Sequence, residues 1–151
     1  MNYIQQKAKG IDFYTSLINV ENWLEISLSD YDWHISDIDG AWPELDDPSW
    51  VTGQELASKI SEFDYQFSWA VISAFPKGTR PFTTDEPFAD GNSIFWEGIP
   101  EKQLKNAVFE IVCWDSSATL FIDLPSDLAK NLVANAPSIK DLNKVNGQRK
   151  S

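Results

Sequence analysis

Between Gly10 and Ser58 the chain has no lysine and no arginine, and the same stretch carries eleven carboxylates. Nucleic acid is therefore excluded as a direct ligand of this region, because phosphates are drawn to clustered basic side chains. An anionic membrane surface is disfavoured for the same reason. A single cysteine, Cys113, leaves no internal disulfide and fits a reducing compartment. His34 is the one histidine, which excludes a histidine-rich metal centre. No apolar run approaches the roughly 20 residues that span a bilayer. The first nine residues lack the apolar core of a secretory signal, so a cytoplasmic location is expected. Lys77-Gly78-Thr79-Arg80 has bases but no glycine-rich cradle, so no nucleotide site and no cofactor are expected.

The charge that is present is unevenly placed. The first 58 residues hold eleven acids and two bases, hence −9 of the total −11. Such asymmetry points to a surface offered to something basic. At 151 residues the chain suits one domain with a real core. Apolar residues at 42% and aromatics at 13% exclude a disordered polyelectrolyte. Most of the seven tryptophans are expected to fill that core.

Residues 1–9 read as a loose N-terminus, 10–139 as a single α+β domain and 140–151 as a polar tail. Gly10–Tyr14 alternates as a short strand, and Leu17 to Leu28 recurs at helical spacing. Tyr31 to Ser36 is extended, with Trp33 and Ile35 on one face and His34 on the other, facing solvent. Thr52-Gly53-Gln54-Glu55 has capping-box spacing and opens a helix to Phe63. Tyr65–Phe75 is a central strand, and Pro100–Asn106 a short helix. Val108–Trp114 and Thr119–Asp123 form a hairpin around Asp115-Ser116-Ser117. Ser126 caps a last helix that Pro137 stops. The expectation is a mainly antiparallel sheet of about five strands with two or three helices packed on it.

The segment Asp37–Asp47 packs five carboxylates (Asp37, Asp39, Glu44, Asp46, Asp47) into eleven residues, and Trp42 and Trp50 flank the last three. Like charges this close repel unless a cation, a basic partner or solvent relieves them. Asp37-Ile38-Asp39-Gly40 is similar to the start of a calcium loop, but Pro43 interrupts it and no later glutamate completes the set. The same four residues look like the nucleophile motif of haloacid-dehalogenase-type phosphatases, whose alternating βα units are absent here. The remaining reading is a recognition loop: Trp42 and Trp50 as aromatic anchors inside a charged rim. A solvated loop whose tryptophans plug the core is the plainer possibility. Sugar stacking on exposed tryptophans is typical of secreted modules, which this N-terminus does not suggest. Cys113, in the most apolar strand, reads as inert packing. Asp115-Ser116-Ser117 lacks the flanking glycines of a nucleophile elbow and reads as a turn.

Three stretches, Asp30-Tyr31-Asp32-Trp33-His34-Ile35, Ala74-Phe75-Pro76-Lys77-Gly78 and Val112-Cys113-Trp114-Asp115-Ser116-Ser117, together resemble a family of short bacterial proteins of unknown function. The resemblance spans roughly residues 9–135 and leaves the Trp42–Trp50 insert outside it. It implies a small bacterial cytosolic protein and carries over no catalytic residue. In size, charge and lack of catalytic apparatus the chain is also similar in physical type to bacterial toxin-immunity proteins. That likeness implies a non-enzymatic protein that occludes a basic partner such as a toxin, through Asp37, Asp39, Trp42, Glu44, Asp46, Asp47 and Trp50. The alternatives are a small metal-dependent hydrolase using Asp37 and Asp39, and a structural homo-oligomer.

Overall fold

Every pairing of strands in the computed structural model, which describes residues 1–149, is antiparallel. In chain order the elements are β1 (Tyr3–Gln6), α1 (Leu17–Leu24), β2 (Tyr31–Gly40), β3 (Ser49–Thr52), α2 (Gly53–Glu62), β4 (Phe67–Pro76), β5 (Phe109–Trp114), β6 (Ala118–Ile122), α3 (Ser126–Asn135), β7 (Ile139–Asp141) and α4 (Leu142–Gln148). Single 3-10 turns fall at Leu28–Asp30 and Ser93–Trp96. One seven-stranded sheet results, in the order β3-β2-β4-β5-β6-β1-β7. The class is α+β as expected, with seven strands and four helices among the described residues in place of about five and two or three.

Of the elements that were not expected, β1, β7 and α4 lie at the two ends of the chain, and β3 lies just before α2. Tyr3–Gln6, expected to be loose, is a strand between β6 and β7, with Tyr3 opposite both Phe121 and Asp141. Its four residues show no alternation to read, and pairing on both sides holds them. Gln5 is buried and its side-chain amide donates to the Pro137 carbonyl at 3.0 Å. The expected polar tail forms β7 and α4, and Asp141 caps α4 by accepting from the Lys144 amide. Lys150 and Ser151 of that expected tail lie outside the described residues.

Two expected elements are not formed. Gly10–Tyr14 turns instead of extending, with Gly10 at φ +82° and Thr15 at φ 65° setting its bends. Pro100–Asn106 is not helical, because the Glu110 carboxylate takes the amides of Gln103 and Leu104 at 2.7 and 3.0 Å. The third helix starts where expected, but Pro125 is its N-cap and no side chain caps it. In α2, Thr52 does accept from the Glu55 amide at 3.1 Å, while the Glu55 carboxylate takes the Thr52 hydroxyl rather than its amide.

Both faces of the sheet are covered. Helices α1, α2 and α3 bury Trp33, Ile35, Phe67, Ile72, Phe109, Ile111 and Phe121 on one side. Against the other lie α4 and a long irregular cover, residues 79–107, over Val71, Val112, Leu120 and Ile122, with Phe75 meeting Leu104 and Ala107. This double coverage explains why β5 and β6 are buried almost end to end rather than alternately.

An irregular segment that lies on a sheet must still satisfy its backbone polar groups. Here side chains do it. Ser36 donates to the Pro87 carbonyl, Asn92 to that of Phe88, Asn2 to that of Pro100, and Asn146 to those of Phe95 and Gly98. The cover is thereby stitched to β2, to α4 and to the N-terminus.

Candidate functional site

The acidic segment begins as sheet and ends as loop. β2 runs to Gly40, with an irregularity between Ser36 and Asp39 where Asp37 takes φ 55°. An aspartate tolerates that left-handed conformation better than a branched side chain would. Gly40, at φ +100°, passes so close to β4 that a Cβ would come within 2.6 Å of the Gln66 carbonyl oxygen. Only glycine fits there without moving the strand.

The five carboxylates divide into two groups. Asp47 turns inward on its own loop: Oδ1 accepts the Asp37 amide at 2.9 Å and Oδ2 the Ile38 amide at 2.8 Å. Asp37 reaches in turn to the cover, where its Oδ2 accepts the amides of Ala89 and Asp90 at 2.8 and 2.9 Å. These two bind loop backbone to sheet backbone. Asp39, Glu44 and Asp46 are exposed and take part in no ion pair among the described residues.

The two tryptophans also differ. Trp42 is 9% exposed and packs into the helical-side core, its ring centroid 5.5 Å from Tyr65 and 6.1 Å from Phe67. The Lys59 ammonium lies 5.7 Å from the same ring. Trp50 is half-buried on the edge strand β3 and turns to the other face, edge-on to Phe75 and His34 at 4.9 and 5.0 Å. Trp42, Glu44, Asp46, Trp50, Glu55 and Lys59 border a shallow depression of about 270 Å³. The fold thus gathers several of the residues that the sequence groups together, with Trp42 in the core and Trp50 at the edge.

His34 was expected to face solvent and does not. It is 3% exposed, because the face opposite Trp33 and Ile35 lies under the cover. Its Nδ1 is buried and has no hydrogen-bond partner among the described residues. Burial holds the imidazole below its ordinary pKa, opposed by the charges of Glu86 and Asp47. Across the sheet His34 stands opposite Ser73, and Ser73 opposite Glu110. The Ser73 hydroxyl donates to Glu110 Oε2 at 2.7 Å. Burial pushes the Glu110 carboxyl up, opposed by hydrogen bonds from Gln103, Ser73 and Leu104 and by the Lys102 charge. Ser73 and Glu110 are both fully buried, so this polar row fastens the cover and offers no substrate an approach.

The remaining singled-out groups are structural. Burial pushes the Cys113 thiol far above its ordinary range, which leaves it unreactive. Asp115 and Ser116 take φ 49° and 53°, a hairpin turn. The Gly78 amide and the Arg80 guanidinium both serve the buried carboxylate of Asp32, at 3.1 and 3.6 Å. Among the described residues no group of three or more His, Cys, Asp or Glu side chains is placed to hold a metal ion. No helix among them is long and apolar enough to cross a membrane.

The sequence reading missed the apolar side chains that the cover presents outward, Phe82, Phe88, Ile94 and Ile99. The signal was the scatter of aromatics through a segment with no periodicity. No protein-family model, curated protein or solved structure matches this chain.

Proposed function

We propose that this protein is an acidic binding protein that captures and occludes a basic partner, in the manner of a bacterial toxin-immunity protein, and performs no chemistry of its own. One observation carries the reading: Asp39 at the end of β2 and Glu44 and Asp46 on the loop that follows project as exposed carboxylates, without an ion-pair partner among the described residues, from a segment that is itself fixed by hydrogen bonds. A charged rim that is already ordered loses little freedom on binding and accelerates encounter with a partner of opposite sign. Glu55 and the half-buried ring of Trp50 extend the same surface. The working set is therefore Asp39, Glu44, Asp46 and Trp50, with Asp37, Trp42 and Asp47 as its supports. The hydrolase reading is less favoured, since the Asp37 oxygen it would use already holds two backbone amides.

The test is capture of a partner by the tagged protein from its native cells, followed by association kinetics with the purified partner. Glu44→Gln combined with Asp46→Asn is expected to slow association and flatten its dependence on salt, with the melting temperature unchanged. Association as fast and as salt-sensitive as that of the unaltered protein would remove the loop from the reading.

A further inference from the structure

Among the described residues eight large apolar side chains are exposed, and four of them, Phe82, Phe88, Ile94 and Ile99, belong to the irregular cover. They are not scattered. Three adjoining depressions meet at Gln103: one also holds Phe82, the next Phe88, and the third Ile94 and Ile99. Phe82 is 92% exposed and Ile99 is 73% exposed. Single exposed apolar residues need no explanation, but a contiguous group of them marks a surface that something covers.

The platform beneath this group is held in place. The Gln103 side chain accepts the Phe88 amide at 3.1 Å and donates to the Phe88 carbonyl at 2.9 Å. The Gln103 amide donates to Glu110 at 2.7 Å, so the junction is anchored to the sheet. A surface ordered before binding loses less entropy when a partner settles on it.

Its rim has one dominant sign. Asp85, Glu86, Glu97 and Glu101 line the same three depressions and form no ion pair among the described residues. Of the bases nearby, Arg80 is paired with Asp32, and Lys102 with Asp123 and the Ala107 carbonyl. Lys105 is the exposed exception. A second copy of this chain would bring the same carboxylates and a charge of −11 against this rim, which disfavours self-association. A basic occupant with apolar side chains satisfies both features.

We infer that the outer face of the cover, Phe82, Phe88, Ile94 and Ile99 around Gln103, is a docking surface for a cationic amphipathic segment of a partner protein. The inference rests on the basic-partner reading and adds to it a second contact, where apolar burial supplies the affinity that an acidic loop alone does not. Asp37 joins the two surfaces physically, since its carboxylate holds the amides of Ala89 and Asp90 immediately after Phe88.

The experiment is a binding titration with two synthetic peptides of equal length and charge, one with lysine and leucine at helical spacing, the other with lysine and serine. Each is titrated into the full chain, into Phe82→Ser/Ile99→Ser and into Glu44→Gln/Asp46→Asn, with melting temperatures as the check on folding. The expected result is that the lysine–leucine peptide binds the unaltered chain about tenfold or more tighter than the lysine–serine peptide. Phe82→Ser/Ile99→Ser should abolish that advantage and leave the melting temperature unchanged. Should the pair lower it, Phe82→Ser alone gives the same comparison. Equal binding of the two peptides, or full retention of the advantage in the serine variant, overturns the docking surface while leaving the basic-partner reading intact. Binding of neither peptide at low salt overturns both. A dimer of the unaltered chain in sedimentation that Phe82→Ser/Ile99→Ser dissolves would assign the face to a second copy and overturn the inference.

Discussion

Asp47 holds Asp37 in place: one oxygen of its carboxylate accepts the Asp37 amide at 2.9 Å, while the other accepts the amide of Ile38 at 2.8 Å. The relationship converts a repulsive pair of like charges into a bracket, because the attraction is between a carboxylate and backbone amides. Although Asp47 is exposed, replacing it is not an ordinary surface substitution. Asp47→Ala leaves two amides without their acceptor, and a loss of about 1–3 kcal/mol is expected. Urea unfolding measures it. A change within about 0.5 kcal/mol, the usual range for a surface site, would show that the bracket contributes nothing.

Asp37 continues the bracket into the cover and does so from a left-handed backbone conformation. Asp37→Ala removes the acceptor for Ala89 and Asp90 and also places a Cβ without a local hydrogen bond at φ 55°. A loss of about 2–3 kcal/mol is expected, and a smaller one for Asp37→Asn, which keeps one oxygen and tolerates the conformation. Millimolar magnesium, calcium or manganese should leave the melting temperature of both the unaltered chain and Asp37→Asn unmoved. An ion-dependent rise that Asp37→Asn abolishes would restore the metal reading.

The two tryptophans beside the acidic loop should separate cleanly. Trp42→Ala empties a core position between Tyr65 and Phe67, with an expected loss of about 3–5 kcal/mol. Trp50→Ala removes a half-buried ring at the sheet edge and should cost less, while weakening partner binding. Equal destabilisation by the two would mean that Trp50 is as much core as Trp42 and remove it from the binding surface.

How much of this was legible in the sequence follows from what kind of signal each element leaves. β2, β4, β5 and β6 carry long apolar or alternating runs, and α2 carries a cap and a stripe, so their positions were readable. β1 and β7 are short edge-side strands whose order comes from pairing with each other and with β6, which no local pattern records. The solvent-facing assignment of His34 failed for a related reason. Alternation does tell which face a strand residue occupies, and His34 does lie opposite Trp33 and Ile35. What it does not tell is whether a structureless segment such as 79–107 will fold back over that face. In the acidic loop, sequence counted five like charges, while the fold spends two of them on backbone amides. That distinction depends on where Ala89 and Ile38 come to rest, and charge counting does not reach it.

The buried row of His34, Ser73 and Glu110 makes the stability of this protein depend on pH in two opposing ways. Burial keeps His34 below its ordinary pKa of 6.5, so the unfolded chain takes up that proton more readily than the folded one. As pH falls through about 6.5 towards the lower folded value, stability is lost. Glu110 is raised above its ordinary 4.5, so here the folded chain takes the proton first. As pH falls through that raised value towards 4.5, its contribution grows, since the desolvated charge is relieved. His34→Phe keeps a ring of similar outline against Trp50 and removes the unpartnered Nδ1. It should stabilise the protein at neutral pH by about 1 kcal/mol and abolish the loss on acidification below about 6.5. With that loss gone, the variant's stability should level or rise as pH nears the Glu110 titration. Urea unfolding of both chains at several pH values between 7.5 and 4.5 gives the comparison. Parallel pH profiles for the two would show that His34 titrates alike folded and unfolded, and that its burial beneath the cover has no bearing on stability.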